Sequence, residues 1–412
     1  MTFDGHRTGD MKTYVYRTAD YGETWQSLVT EDLDGYAHVI REDPENADLL
    51  FLGTEFGLFV SLDAGQQWAR FGGGIPKVAV RDLAIHPREH DLIIATHGRG
   101  IYILDDLTPL RHLTRGMVDS AVVLLPSRPA AMVIPASVQA FPGDGEWVGE
   151  NPPEAASVVY YLKRRHMFGD LRVEIYDTSG SLVATHPGGK RRGINRVGWP
   201  MRLKGPKVPP ATSLVSSPGS FMGPRVPEGT YAVKLVKGRD TYETTVTLVP
   251  DPRATSSEED RALQDRTVMR LYEMLGRLTY VVDGLIGLRD QAKEHAEVLG
   301  RRNRLARRLT SYADKLEAFR ATLVSTSEAG RLSGEQCLRE KLVELYGAVN
   351  GYEGAPTQSQ LERAEILATD LGNAEREFAT LTGRELESLN NQLERQRREP
   401  LKLMSKEEWE RQ

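Results

Sequence analysis

Asp48 to Trp68 reads DLLFLGTEFGLFVSLDAGQQW. An apolar run, a tight turn around Glu55 and Phe56, and a second apolar run lead into the octet Ser61-Leu62-Asp63-Ala64-Gly65-Gln66-Gln67-Trp68. Apolar runs of this length, punctuated by turn residues, predict strand, turn, strand and loop. The octet has an earlier counterpart, Thr18-Ala19-Asp20-Tyr21-Gly22-Glu23-Thr24-Trp25, and both its Asp and its Trp recur 43 residues later. The strand-turn-strand half returns at 91–106 as DLIIATHGRGIYILDD, again 43 residues on, and Pro87 follows Pro44 at the same interval. A fixed period in the forties, with several short strands per unit, predicts the blades of a β-propeller.

The octet has the form S/T-x-D-x-G-x-x-W, and its chemistry is that of a turn. The Asp carboxylate can accept from the N–H groups of the hairpin it opens. The Gly supplies a positive φ, and the Trp offers a large apolar plug beneath the loop. Here the chain resembles the Asp-box propeller families, sialidase-type and sortilin-type, with their BNR repeats. The resemblance implies boxes on the propeller face away from the binding site. Thr18, Asp20, Gly22, Trp25, Ser61, Asp63, Gly65 and Trp68 are therefore expected to build turns rather than to bind a ligand.

At 412 residues the chain has room for about two to three domains. Its 40% hydrophobic and 27% charged content is that of an ordinary globular protein. A net charge of −5 gives no pull towards nucleic acid or an anionic membrane. A single cysteine, Cys337, excludes an internal disulfide and a cysteine-rich metal site. No run reaches the roughly 18 apolar residues of a membrane span, and the N-terminus lacks the apolar core of a signal peptide. No metal site and no cofactor is expected.

Three regions follow in order. Residues 1–128 read as a partial Asp-box propeller of about two and a half blades, beginning inside a blade. GYAHVIRED (35–43) and VAVRDLAIHP (78–87) are its inner strands, and AVVLLP (121–126) offers an outer strand to close the third unit. A propeller needs roughly four or more blades, so the missing N-terminal blades are expected from a longer parent chain or a separate polypeptide. Residues 129–250 carry seven short β-rich runs and predict an immunoglobulin or fibronectin-III-like sandwich. Within it, the Pro-, Ser- and Gly-rich stretch 204–227 reads as a long mobile loop. Residues 251–412 predict an antiparallel helical bundle, opened by a capping box at Ser256-Ser-Glu-Glu259, with helices to about Gly300 and over 301–325, 333–349 and 358–396. The arginines at 301, 302, 304, 307 and 308 read as a solvated face.

This order of parts is similar to the tail of bacterial sortilin-type or Asp-box proteins classed among the glycosyl hydrolases. The resemblance implies full-length relatives that are exported, with the localisation of this chain left open. Other motifs fail on context. Gly143-Asp-Gly145-Glu-Trp-Val-Gly149 is followed by Asn151-Pro-Pro rather than a helix, the nine histidines form no HExxH pair, and no GxSxG elbow is present. A sialidase-like site would need an arginine triad, a tyrosine nucleophile and an acid; Arg7, Arg41, Arg81 and Arg99 are available to it.

No residue stands out as catalytic. One expectation is a glycan- or protein-binding or scaffolding module. The other is a glycoside hydrolase, sialidase-like or endoglucanase-like, with its cleft mostly in the missing blades and acids among Asp4, Glu31, Asp32, Asp34 and Glu55. Consecutive antiparallel hairpins alternate ends, so the connection after each unit's second strand emerges opposite the Asp-box. That places His6 and Arg7, Glu55 and Phe56, and His97 and Arg99 on the working face, with Tyr36 and Lys77 at inner-strand starts beside them.

Overall fold

The computed structural model describes residues 1–133, 145, 153–210, 219–325 and 337–411. An N-terminal region of small antiparallel sheets precedes a helical C-terminal region. The described residues of Met1–Met132, Asp144–Met201 and Glu228–Val249 form one compact unit, and those of Val133–Gly143, Arg202–Pro227 and Pro250–Gln412 form another.

The first sheet holds β1 (Thr2–Gly5), β2 (Asp10–Arg17) and β3 (Gln26–Ser27) in that order. The second holds β4 (Ala37–Glu42), β5 (Leu50–Thr54), β6 (Gly57–Ser61) and β7 (Ala69–Arg70). The third holds β8 (Val80–Ile85), β9 (Leu92–Thr96) and β10 (Ile101–Leu104). Every residue of β5 is buried, as its uninterrupted LLFLG-type run requires of a strand covered on both faces. Its alternate side chains divide between two cores. Leu50 and Leu52 pack with Val15, Leu28, Phe59 and Trp68, and Phe51 packs with Leu58, Val80, Leu83 and Ile94. Gly53 marks the closest approach, since a Cβ there would lie 2.6 Å from the Val80 carbonyl oxygen. Each sheet is thus pressed onto the next, and the 43-residue repeat is a repeat of packing as well as of sequence.

Two expectations change here. AVVLLP does not return to the third sheet: β11 (Val122–Leu125) pairs instead with β13 (Ala156–Leu162), running Val122 opposite Leu162 to Leu125 opposite Val159. An apolar run carries no label for the sheet it joins, and this one buries Leu125 against Val159 and Leu107. The third unit's hairpin also carries a longer turn than the second's, with Thr54 opposite Gly57 but Ala95 opposite Ile101. The remaining strands of this unit form two sheets. One has the order β11, β13, β16 (Gly193–Trp199); the other runs β12 (Ala130–Met132), β18 (Asp240–Pro250), β17 (Gly229–Lys237), β14 (Leu171–Tyr176), β15 (Leu182–Pro187). Trp199 of β16 meets Tyr231 of β17 edge-on, with ring centroids 5.0 Å apart. A short helix, α1 (Thr108–His112), carries Arg111, which grips the buried Asp43 carboxylate at 2.9 Å.

The helical unit comprises α2 (Glu258–Leu299), α3 (Arg304–Leu323), α4 (Leu338–Asn350), α5 (Gln358–Thr380), α6 (Leu386–Arg395) and α7 (Lys406–Glu410). Its capping box is one residue later than expected, with Ser257 and Asp260 exchanging the two bonds. The expected helix over 358–396 is interrupted at Leu381–Glu385, where Gly383 leaves helical geometry. Residues 204–227 are not a free loop where they are described. Asn350 donates to the Gly219 and Met222 carbonyls, Tyr346 to Met222 at 2.5 Å, Arg339 to Pro209, and Ser220 to Val343. A Pro- and Gly-rich composition prevents regular structure, but its carbonyls still satisfy buried donors. Among the described residues no helix is long and apolar enough to cross a membrane.

Candidate functional site

The two octets fold alike. Ser61 Oγ donates to Asp63 Oδ1 and accepts from the Gly65 N–H, both at 2.8 Å, and Asp63 Oδ1 accepts from the Gln67 N–H at 2.9 Å. Thr18, Asp20, Gly22 and Thr24 repeat every one of these bonds at 2.8, 2.8 and 2.9 Å. Ala64 and Gly65 both have positive φ, as do Tyr21 and Gly22. Trp68 is 4% exposed and its indole donates to the Leu28 carbonyl of the preceding unit at 2.9 Å. Trp25 is no plug: it is 46% exposed and its indole turns back onto Gly22 O at 3.1 Å. The octet dictates the turn, whereas burial of the Trp needs a neighbouring sheet on that side.

At the other end of the strands a file of polar side chains forms. In β4 the register passes from Ala37 opposite Thr54 to Val39 opposite Gly53, leaving His38 as an extra residue. In β8 it passes from Val80 opposite Thr96 to Asp82 opposite Ala95, leaving Arg81 as the extra residue at the equivalent place. A bulge of this kind re-aims the side chain it carries. Both converge on Glu55 in the β5–β6 turn: His38 Nε2 lies 3.0 Å and Arg81 Nη2 3.8 Å from Glu55 Oε2. Arg81 Nη1 is also 3.4 Å from His38 Nδ1. A guanidinium only donates, so in the neutral ring Nδ1 accepts and Nε2 carries the proton given to Glu55. The file continues from His38 to Tyr36, edge-on at 5.1 Å, and from Tyr36 to His6, stacked at 4.7 Å. His6 Nδ1 is held by Asp4 at 2.6 Å, where β1 and β2 also lose register.

Electrostatics follow from these contacts. Burial works against ionisation of Glu55, but hydrogen bonds from His38 and Tyr36 and the charge of Arg81 outweigh it and hold the carboxyl below its ordinary range. Burial and the Glu55 bond push the Tyr36 phenol up. Asp4 is likewise lowered, burial being outweighed by the His6 backbone and ring. Both carboxylates are therefore anionic at neutral pH, each already holding a donor.

Of the residues expected on this face, His6, Tyr36 and Glu55 come together. Phe56 and Lys77 form a neighbouring pair, with the Lys77 ammonium 5.1 Å from the Phe56 ring centre and 3.5 Å from Asp34. Arg7 is exposed and His97 and Arg99 lie exposed in the β9–β10 turn, Arg99 donating only to Gly98 O among its side-chain bonds. The four arginines do not share a partner: Arg41 binds the Leu83 carbonyl and Asp82, and Arg81 binds Glu55. Sequence reasoning missed His38 altogether, offered Arg81 only to an arginine triad, and named Asp4 only among candidate acids of a hydrolase cleft. A signal for the bulge was present: Val80 and Leu83 are three apart yet buried in one core, where unbroken alternation would space them by two. Among the described residues, no group of three or more His, Cys, Asp or Glu side chains is arranged to hold a metal. No protein-family model matches the chain, and no curated protein matches it.

Proposed function

We propose that this chain is a glycan- or protein-binding module of an Asp-box propeller protein, reading its ligand with the Tyr36–His38–Glu55–Arg81 file. On this reading the first three sheets are propeller blades, the two sheets that follow are an immunoglobulin or fibronectin-III-like sandwich, and the helices are an accessory bundle. One observation carries the binding function: successive inner strands bulge at the same point and turn His38 and Arg81 onto one carboxylate, at the end opposite the Asp-box turns. A face offering imidazole, guanidinium, carboxylate and an aromatic ring suits sugar hydroxyls or a peptide backbone. Among the candidate acids of a hydrolase, Asp4 and Glu55 are each already engaged by a histidine, His6 and His38, an arrangement suited to holding a ligand's polar groups.

The test is a glycan and peptide array probed with the native chain and with the Arg81→Ala and His38→Ala variants. Retention by the native chain, lost in both variants at unchanged melting temperature, is the expected outcome. Binding that survives both changes would remove this face. Turnover of a chromogenic glycoside, abolished by Glu55→Gln, would replace binding with hydrolysis.

A further inference from the structure

The first sheet presents an unfilled copy of an interface that the chain builds once already. Between the first and second sheets, Trp68 donates its indole N–H to Leu28 O, and Leu50, Leu52 and Phe59 close over Val15 and Leu28. The same residues can be found on the far side of the first sheet by register. Trp25 lies 43 residues before Trp68 and Tyr16 lies 43 before Phe59. Met1 exchanges hydrogen bonds with Tyr16, at 2.8 and 2.9 Å, as Leu52 pairs with Phe59. Met1 therefore stands in the place of Leu52. Met1, Phe3 and Trp25 are 55%, 53% and 46% exposed, and Phe3 lies edge-on to Tyr16.

Two further details match. A Cβ on Gly65 would meet Leu28 at 2.9 Å, whereas one on Gly22 would meet only Trp25, at 3.8 Å. The seat that Leu28 fills against Gly65 is open against Gly22. In addition, β5 is paired on both sides, by β4 and β6, but its counterpart β1 pairs only with β2 among the described strands. Because Met1 and Tyr16 exchange both bonds, the Thr2 N–H points to the open edge of β1.

We propose that this face is a docking surface for one further Asp-box unit of the same kind, whose inner strand adds to the open edge of β1. An apolar side chain of its last loop seats against Gly22, and a backbone carbonyl of that loop takes the Trp25 N–H from Gly22 O. Strand addition supplies the main-chain bonds and the apolar face supplies the burial. The inference rests on the propeller part of the functional reading and not on the ligand file.

The experiment extends the full chain at its N-terminus with a copy of its own residues 35–93, joined so that Met1 takes the place of Ile94, which pairs with Tyr102 as Met1 pairs with Tyr16. Expected are amide exchange of Thr2 slowed by about tenfold or more and Trp25 shielded from acrylamide. Trp25→Ala should then lower the melting temperature of the extended chain more than that of the unextended one. A shorter extension, a copy of 80–93 supplying only the inner strand and its loop, should protect Thr2 without shielding Trp25, and it keeps the test open if the longer chain misfolds. Unchanged exchange at Thr2 in both extensions would overturn the proposal. So would an unextended chain that already shields Trp25 by self-association, since the occupant would then be a second copy. The extensions leave His38, Glu55 and Arg81 untouched, so array binding measured on the same proteins reports on the ligand file separately.

Discussion

Trp25 and Trp68 occupy the same place in the same octet, above turns whose shared hydrogen bonds agree to within 0.1 Å. One indole is exposed and folded back on its own turn, and the other is sealed against the backbone of the preceding unit. The third unit has neither the octet nor its Trp. At the next interval stands Arg111, which reaches back to the buried carboxylate of Asp43, just after β4 of the second sheet. The comparison separates two tasks that one motif combines. Local residues determine the turn, while contact with the preceding unit determines what the residue at its end is worth.

If that separation holds, Trp68→Ala should cost about 3–5 kcal/mol in a denaturant titration, since it removes a fully packed indole. Next in size is Asp63→Ala, about 1 kcal/mol, because the Gln67 N–H and the Ser61 hydroxyl lose their acceptor at a turn that water can reach. Trp25→Ala should stay within about 0.5 kcal/mol, the range of an ordinary surface change. A Trp25→Ala loss as large as that of Trp68→Ala would break the comparison outright. The finest test is acid. Asp20 is held down to about 2, first by the Thr24 hydroxyl and then by the Thr24 N–H and the Thr18 hydroxyl. A carboxyl lowered on folding contributes stability above its ordinary pKa near 3.8, and that contribution is lost as pH falls through about 2. Amide exchange at Thr24 should therefore quicken between those two values, and Asp20→Asn should remove the dependence.

How much of this was legible depended on whether the cause was local. The strands of the first three sheets were readable because alternation and turn residues act over a few positions, and the octets because their hydrogen bonds span four. The long helices were readable from capping and periodicity, but not the short α1 and α7, nor the interruption at Leu381–Glu385, where nothing but Gly383 marks it. What escaped depends on distant partners. The exposure of Trp25 follows from what lies beside the first sheet, and the destination of β11 from a strand some forty residues later. The site was half legible. Hairpin alternation brought His6, Tyr36 and Glu55 to one end, but the bulges that recruit His38 and Arg81 show only as a one-residue slip in the apolar pattern.

The segment between Met201 and Glu228 has a consequence in time. Its carbonyls at Gly219 and Met222 wait for Tyr346 and Asn350, which lie 124 to 131 residues further along the chain. At the usual rate of synthesis those partners leave the ribosome roughly 6–25 s later. During that interval β17 and β18 can already complete their sheet with β14, while the segment that precedes them has its own bonds, such as Leu203 N–H to Pro224 O, but not those helical donors. The helical unit thus closes around a strand of chain made long before it, and a gene cut after residue 250 would yield a protein carrying that segment permanently without its partners.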